Sequence, residues 1–308
     1  MNKKYELTNE TCEVKGYGVV YRIKALRDFG DVKKGDLGGF VESEKNLSHE
    51  GTCWVSEGAS IHDEASISGN AVVSGTSIVA DEASVSGNAV VSGDVLIAGN
   101  ASVSDNAEVY YQASIIGHAI VSGNAVVGGE ASICDYAEVR ENASINGNAW
   151  VGGTATISGN ARVYDYAKIS GRAWITEDAW VYGDAEVCSS AHISGESQIY
   201  DNALVAGNIH ISGNARVYGE AWIRGDACIY ESAWVYGRSK VFGEARIHGH
   251  ARVRENAIIY DRAEVSEGAW VFGNAKVYGD SQAYGDARVS GDDHLSGNMY
   301  VTGIKADL

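Results

Sequence analysis

The sequence predicts an all-β solenoid of short strands rather than a globular core. Three observations carry this. A branched aliphatic residue recurs every sixth position from Val55 to Val301 without a slip, and only Ala283 and Leu295 in that column are neither Val nor Ile. Two residues before each runs a second column, Ala59, Ala65, Ala71, Ser77, Ala83 and onward, which is mostly Ala. Gly-Asn, Gly-Asp, Asp-Asn or Gly-Glu then follows, turn chemistry that tolerates left-handed backbone conformations. In Ala-x-Val the outer residues face one way and the middle one the other, so each hexad holds one short strand with an apolar inner face. Ala fits the cramped corner and Val or Ile fills the middle of a flat-sided coil. Because a short-period repeat grows without the size limit of a single core, the 308 residues are read as one elongated domain with a cap.

Residues 1–52 break the register and are assigned to this cap. Residues 17–23 (Tyr-Gly-Val-Val-Tyr-Arg-Ile) have strand propensity, and residues 4–7 are expected to pair with them across a turn region at 9–16. The glycine-rich, charged stretch 30–40 reads as a loop. Leu37, Val41, Leu47 and Cys53 nevertheless fall on the two interior columns when the count runs backwards. They predict a degenerate first coil covered by a hairpin, which closes the terminal edge against further strand pairing. Residues 53–303 form the repeat domain and 304–308 a tail.

The unit Ala-x-(Val/Ile)-x-Gly-Asn, as in residues 71–76, resembles the hexapeptide-repeat family over about residues 53–303. The resemblance implies a single-stranded left-handed parallel β-helix with three hexads per coil. It also implies about fourteen coils stacked at roughly 4.8 Å, a rod of roughly 65 Å, and a homotrimer about parallel axes. The opening stretch, with residues 26–32 (Leu-Arg-Asp-Phe-Gly-Asp-Val), Gly35-Asp36-Leu37-Gly38-Gly39-Phe40-Val41 and Cys53-Trp54-Val55, resembles YdcK-type hexapeptide proteins. Those are assigned as transferases in enterobacteria, with relatives in prophages; the resemblance carries no catalytic residue onto this chain.

Folding the chain every eighteen residues turns the sequence into three surfaces. The first carries Arg162, Trp180, Gln198, Arg216, Trp234, Arg252, Trp270 and Arg288, beside a second ladder of Tyr164, Tyr182, Tyr200, Tyr218, Tyr236, Arg254 and Phe272. Stacked guanidinium and aromatic planes each contribute about 0.5–1 kcal/mol at exposed sites. Such ladders serve either the fold itself, as cross-strand neighbours, or recognition, because so long an aromatic strip exceeds an ordinary exposed patch. The second surface is apolar at Ile78, Leu96 and Ile116, the expected oligomer interface. Val72 and Val90 on the first surface are the alternative. The third begins with paired serines and carries Asn70, Asn88, Asn106, Asn124, Asn142 and Asn160 along its corner, where stacked amides can hydrogen-bond along the repeat. His192 and His210 are expected to stack there, sharing a metal, serving as base and orienter, or standing as two polar neighbours. Asp63, Glu64, Asp81 and Glu82 cluster at one corner, either a solvated acidic edge or a weak Ca²⁺ site.

The formal charge of −17 disfavours direct binding to nucleic acid or anionic membrane. Between residues 54 and 161, twelve carboxylates face only Arg140, so an acidic mimic of nucleic acid is one functional reading. The five cysteines, Cys12, Cys53, Cys134, Cys188 and Cys228, have no paired spacing and read as small buried thiols in a reducing compartment. No apolar run reaches spanning length and no signal-type core follows Lys3 and Lys4, so the expected compartment is the cytoplasm. The favoured function is a non-catalytic binding or scaffold rod that needs no cofactor and meets a protein or glycan partner through its ladders. The alternative, implied by the family, is an acyltransferase that uses acetyl-coenzyme A with His192 or His210 as general base. Against it stands the unbroken six-residue frame, which leaves no insertion from which to build an acceptor pocket.

Overall fold

The computed structural model describes residues 3–303. By backbone contacts the chain divides into two units, residues 1–153 and 154–308, and the expected tail at 304–308 lies outside the described residues.

Unit 1 opens with three strands, β1 (Tyr5–Val14), β2 (Gly18–Ala25) and β3 (Leu37–Val41). β1 and β2 form the expected antiparallel hairpin, Tyr5 opposite Ala25 and Val14 opposite Gly18. Its turn is tighter than predicted, confined to residues 15–17, and the stretch from Asn9 to Val14 that read as turn is strand. The stretch 30–40, read as a loop, ends in β3, which pairs antiparallel with β2. Gly38 and Gly39 let β3 approach: a Cβ on Gly39 would stand 2.3 Å from the Ser56 carbonyl oxygen and one on Gly38 2.5 Å from that of Val55. Glycine content that suggests a loop here serves close packing instead.

From β3 the chain enters the solenoid. β4 (Trp54–Val55), β5 (Ser60–Ile61) and β6 (Ser66–Ile67) start three parallel sheets, and Val41 pairs with Ile61 while Leu47 bridges to Ile67. A first coil therefore precedes residue 53, but Val41 and Leu47 take the place of the Val/Ile column rather than the Ala column. The two-residue offset is absorbed before Trp54, after which pairing is strict: Trp54 with Val72, Val72 with Val90, Leu96 with Ser114, Ser84 with Ser102. Leu37, expected inside, is 48% exposed.

Buried polar groups secure the cap. Lys4 is fully buried, with Nζ donating to the Cys53 carbonyl at 2.9 Å and Cys53 Sγ at 3.1 Å, and burial lowers its pKa. Tyr5 OH donates to the Leu47 carbonyl at 2.8 Å, and Asn46 Nδ2 to those of Asp63 and Ala65. These bonds satisfy backbone oxygens that a terminal coil would otherwise leave unpaired.

Unit 2 repeats the same coil. Its first face runs from Arg162–Val163 to Arg288–Val289, its second from Lys168–Ile169 to His294–Leu295 and its third from Thr156–Ile157 to Tyr300–Val301. In both units the Val/Ile and Ala columns form the core and are almost completely buried. Of the four serines that replace Ala in this column, Ser77, Ser197 and Ser281 each donate to the carbonyl three residues earlier, at 2.8, 2.7 and 2.7 Å, whereas the Ser239 hydroxyl has no partner among the described residues.

The corners explain much of the acidity. Among the described residues, the non-glycine residues with positive φ are all Asp or Glu except Tyr111 and Ser189. At these corners a carboxylate accepts the backbone N–H of the residue directly above, as in Gly99 to Asp81 (2.8 Å), Gly123 to Asp105 (3.0 Å), Gly195 to Glu177 (2.6 Å) and Gly249 to Glu231 (2.7 Å). The residue above is glycine in every case but Asp63 followed by Asp81. A side chain at one corner thus goes with a bare backbone at the next. The asparagine ladder also forms: the amide of Asn70 donates to Asn88, Asn88 to Asn106, Asn106 to Asn124 and Asn124 to Asn142, at 2.9–3.0 Å.

Candidate recognition surface

Because residues eighteen apart pair in parallel, every sequence ladder becomes a physical column. On the first face of unit 2, Arg216 pairs with Trp234, Trp234 with Arg252, Arg252 with Trp270 and Trp270 with Arg288. The side chains stack in the same order. Arg216 lies 5.2 Å and Arg252 4.8 Å from the Trp234 ring centre, while Arg252 and Arg288 lie 4.9 and 4.6 Å from that of Trp270. Arg162 covers Trp180 at 5.0 Å. Each inner indole has a guanidinium on both faces, which leaves its ring edge for anything outside; Arg288 Nη1 is itself engaged, donating to the carbonyls of Gly268, Asp286 and Ala287 at 3.0–3.1 Å.

The neighbouring column is a stack of phenols. Tyr164, Tyr182, Tyr200, Tyr218 and Tyr236 lie 4.7–4.9 Å apart with planes within 4° of parallel. Burial, then neighbouring phenols, push Tyr200 up to about 12; burial also raises Tyr164, Tyr182 and Tyr218. Arg254 continues the column, 5.5 Å from Trp270 and 4.8 Å from Phe272. All these rings are half-buried by one another, so the strip is rigid. Beside the Arg/Trp column run shallow recesses of about 400 Å³ (Asn160, Arg162, Asp178, Trp180, Glu196, Gln198) and about 260 Å³ (Asn214, Arg216, Ser232, Trp234, His250, Arg252).

The other candidates assemble less completely. His192 and His210 are neighbours on the third face, ring centres 5.7 Å apart and edge to face, and His192 Nε2 lies 3.4 Å from Thr176 Oγ1. Burial, then the second imidazole, lower the pKa of His192. Among the described residues no three His, Cys, Asp or Glu side chains gather closely enough to hold a metal ion. Asp63, Glu64, Asp81 and Glu82 do share a corner, but Asp63 accepts the Asp81 N–H at 3.3 Å and Glu82 the Asn100 amide at 2.7 Å. Ile78 and Leu96 stack in one column, half-buried, and Ile116 occupies the column beside it. The free cysteines are not uniformly buried: Cys12 is exposed and Cys188 and Cys228 are intermediate.

Sequence reasoning passed over the most exposed tryptophans. Trp174, 54% exposed, stands edge-on to His192 at 5.9 Å, and Trp222, 41% exposed, lies between Arg224 at 5.1 Å and Lys240 at 5.4 Å. Both occupy outward middle positions of their hexads, the signal that could have found them. It also treated the acidic corners as solvated charge, although the glycine eighteen residues after every corner acid but Asp63 was available to be read.

The parallel coils, the six-residue frame and the outward ladders define the class: a parallel β-solenoid. Residues 211–225 match the family model described as YdcK beta solenoid repeat, and the parallel coils around them are consistent with that match. No curated protein matches the chain. No helix among the described residues is long and apolar enough to cross a membrane.

Proposed function

We propose that this β-solenoid is a non-catalytic binding or scaffold protein that meets a protein or glycan partner through the first face of unit 2. The ladder from Arg216 to Arg288 supports this reading most. Arg, Trp and Tyr are the residues that dominate binding energy at interfaces, and here they are stacked in place before any partner arrives, so little side-chain entropy is lost on docking. Homotrimer formation through Ile78, Leu96 and Ile116 would bring three such faces together in one assembly. Thiols with no disulfide between them are in keeping with a cytoplasmic site of action.

Acidic mimicry draws less support, because Asp81, Asp105 and Asp135 already accept backbone N–H groups of the coil above. The acyltransferase reading rests on His192 beside Thr176 and His210, and would add acetyl-coenzyme A as cosubstrate. Two experiments separate the readings. Trp234→Ala with Trp270→Ala, in a protein whose circular dichroism is unchanged, removes partner capture if the first face binds; undiminished capture refutes it. A thermal shift with acetyl-coenzyme A that is abolished by His192→Ala or His210→Ala would establish the enzyme instead.

A further inference from the structure

The two recesses beside the Arg/Trp column are the same feature three coils apart, and they differ in charge. Position for position, Asn160 corresponds to Asn214, Arg162 to Arg216 and Trp180 to Trp234. Asp178 becomes Ser232, Glu196 becomes His250 and Gln198 becomes Arg252. The earlier recess holds one guanidinium against two carboxylates, one of which, Asp178, accepts the Asn160 amide at 3.0 Å. The later recess has no carboxylate in its lining and holds two guanidiniums, an imidazole, a hydroxyl and an amide.

The later recess is also electrostatically unanswered. Among the described residues neither Arg216 nor Arg252 has a carboxylate within salt-bridge distance, whereas Arg238 pairs with Glu220 and Arg262 with Asp280. The carboxylates nearest to Arg216 and Arg252 in sequence, Glu220 and Glu255, are engaged by Arg238 at 3.1 Å and by the Gly273 N–H at 2.9 Å, and Glu231, beside Ser232, accepts the Gly249 N–H at 2.7 Å. Stacking on Trp234 fixes both guanidinium planes and leaves their N–H edges to donate. Guanidinium edges match the oxygens of phosphate in paired hydrogen bonds, and a hydroxyl, an amide and an imidazole beside them are further donors. On a chain of net charge −17, such a cationic recess is selective for where an anion can sit.

We infer that the recess formed by Asn214, Arg216, Ser232, Trp234, His250 and Arg252 binds the phosphoryl group of a ligand. This rests on the reading of the first face as a recognition surface and names the chemistry it recognises. The test is calorimetric titration of the full chain at low salt with inorganic pyrophosphate, and in parallel with glucuronate as a carboxylate of comparable size. Wild-type protein is expected to bind pyrophosphate saturably, one per chain, and more tightly than glucuronate. Ser232→Asp, which copies the acidic residue that the solenoid already carries at 178, and Arg252→Gln, which copies 198, are each expected to weaken binding at least about tenfold through like-charge repulsion or loss of a donor pair. Arg246→Gln, on the third face, leaves it unchanged. Absence of saturable binding, undiminished binding by Ser232→Asp and Arg252→Gln, or tighter binding of glucuronate overturns the inference. Ser232→Asp leaves every residue of the Arg/Trp ladder in place, so failure of this inference is distinguishable from failure of the first face as a recognition surface, which is judged separately by partner capture with the Trp234 and Trp270 variants.

Discussion

Replacing Ser239 with Ala should make the protein more stable. Ser239 occupies the Ala column, between Ala221 and Ala257 in the coils on either side, and is fully buried. Its hydroxyl has no hydrogen-bond partner among the described residues, unlike Ser77, Ser197 and Ser281 in equivalent positions. A buried hydroxyl without a partner costs about 1–3 kcal/mol. Ala leaves almost no void, since it is the residue the column is shaped for, so Ser239→Ala should gain about 1 kcal/mol. Ser197→Ala loses a satisfied bond of 2.7 Å and should be neutral or cost up to about 1 kcal/mol. Urea unfolding compares the two, with amide exchange in the surrounding coils as a local readout, because a repeat protein need not unfold in one step. If Ser239→Ala is no more stable than the natural chain, or Ser197→Ala gains as much, the burial argument is wrong.

Three further outcomes follow from the ladders and corners. Asp105→Ala keeps the left-handed backbone (φ 60°) but removes the acceptor for the Gly123 N–H, and should cost about 1 kcal/mol in denaturant unfolding; Asp105→Gly loses the same bond but relieves the backbone, so equal losses would count against the corner account. Trp234→Ala removes a ring held by two guanidiniums and should destabilise by about 1–2 kcal/mol, whereas Trp174→Ala, mostly exposed, should stay within about 0.5 kcal/mol; thermal unfolding distinguishes them. The folded state holds the Tyr200 proton to about 12 against an ordinary value of 10.0, so it binds more protons than the unfolded chain in that interval. The associated stability is complete below pH 10 and lost as pH rises toward 12, which alkaline unfolding with phenolate absorbance would register, and Tyr200→Phe would blunt.

The strands of the repeat were legible because the inward column holds its six-residue period from Val55 to Val301, and both outer ladders of the first face could be placed once the resemblance supplied three hexads per coil. What misled was the glycine of residues 30–40. Glycine marks both loops and close backbone approach, and only the packing of Gly38 and Gly39 under Val55 and Ser56 tells the two apart. Leu37 fell on the interior frame by count but lies before the two-residue offset that resets it, so its side chain turns outward. Exposure was harder to read than position: the indoles of Trp234 and Trp270 look available in sequence, yet guanidiniums cover them, while Trp174 and Trp222 stand in the open. The charge contrast between the recesses at 160–198 and 214–252 was present in the sequence and emerged only once the residues of each column were seen to share a wall.

Every ladder on this solenoid depends on residues eighteen apart lying directly above one another. Disulfide trapping tests this most directly. Ser84 and Ser102 are paired neighbours whose hydroxyl oxygens are 3.2 Å apart, a spacing within reach of a disulfide. In a Cys12→Ser background, Ser84→Cys with Ser102→Cys should form an intrachain bridge under mild oxidation, seen as a linked peptide by mass spectrometry, and Ser66→Cys with Ser102→Cys, two coils apart, should not. Bridging of the second pair in preference to the first would contradict the eighteen-residue coil and every ladder built on it.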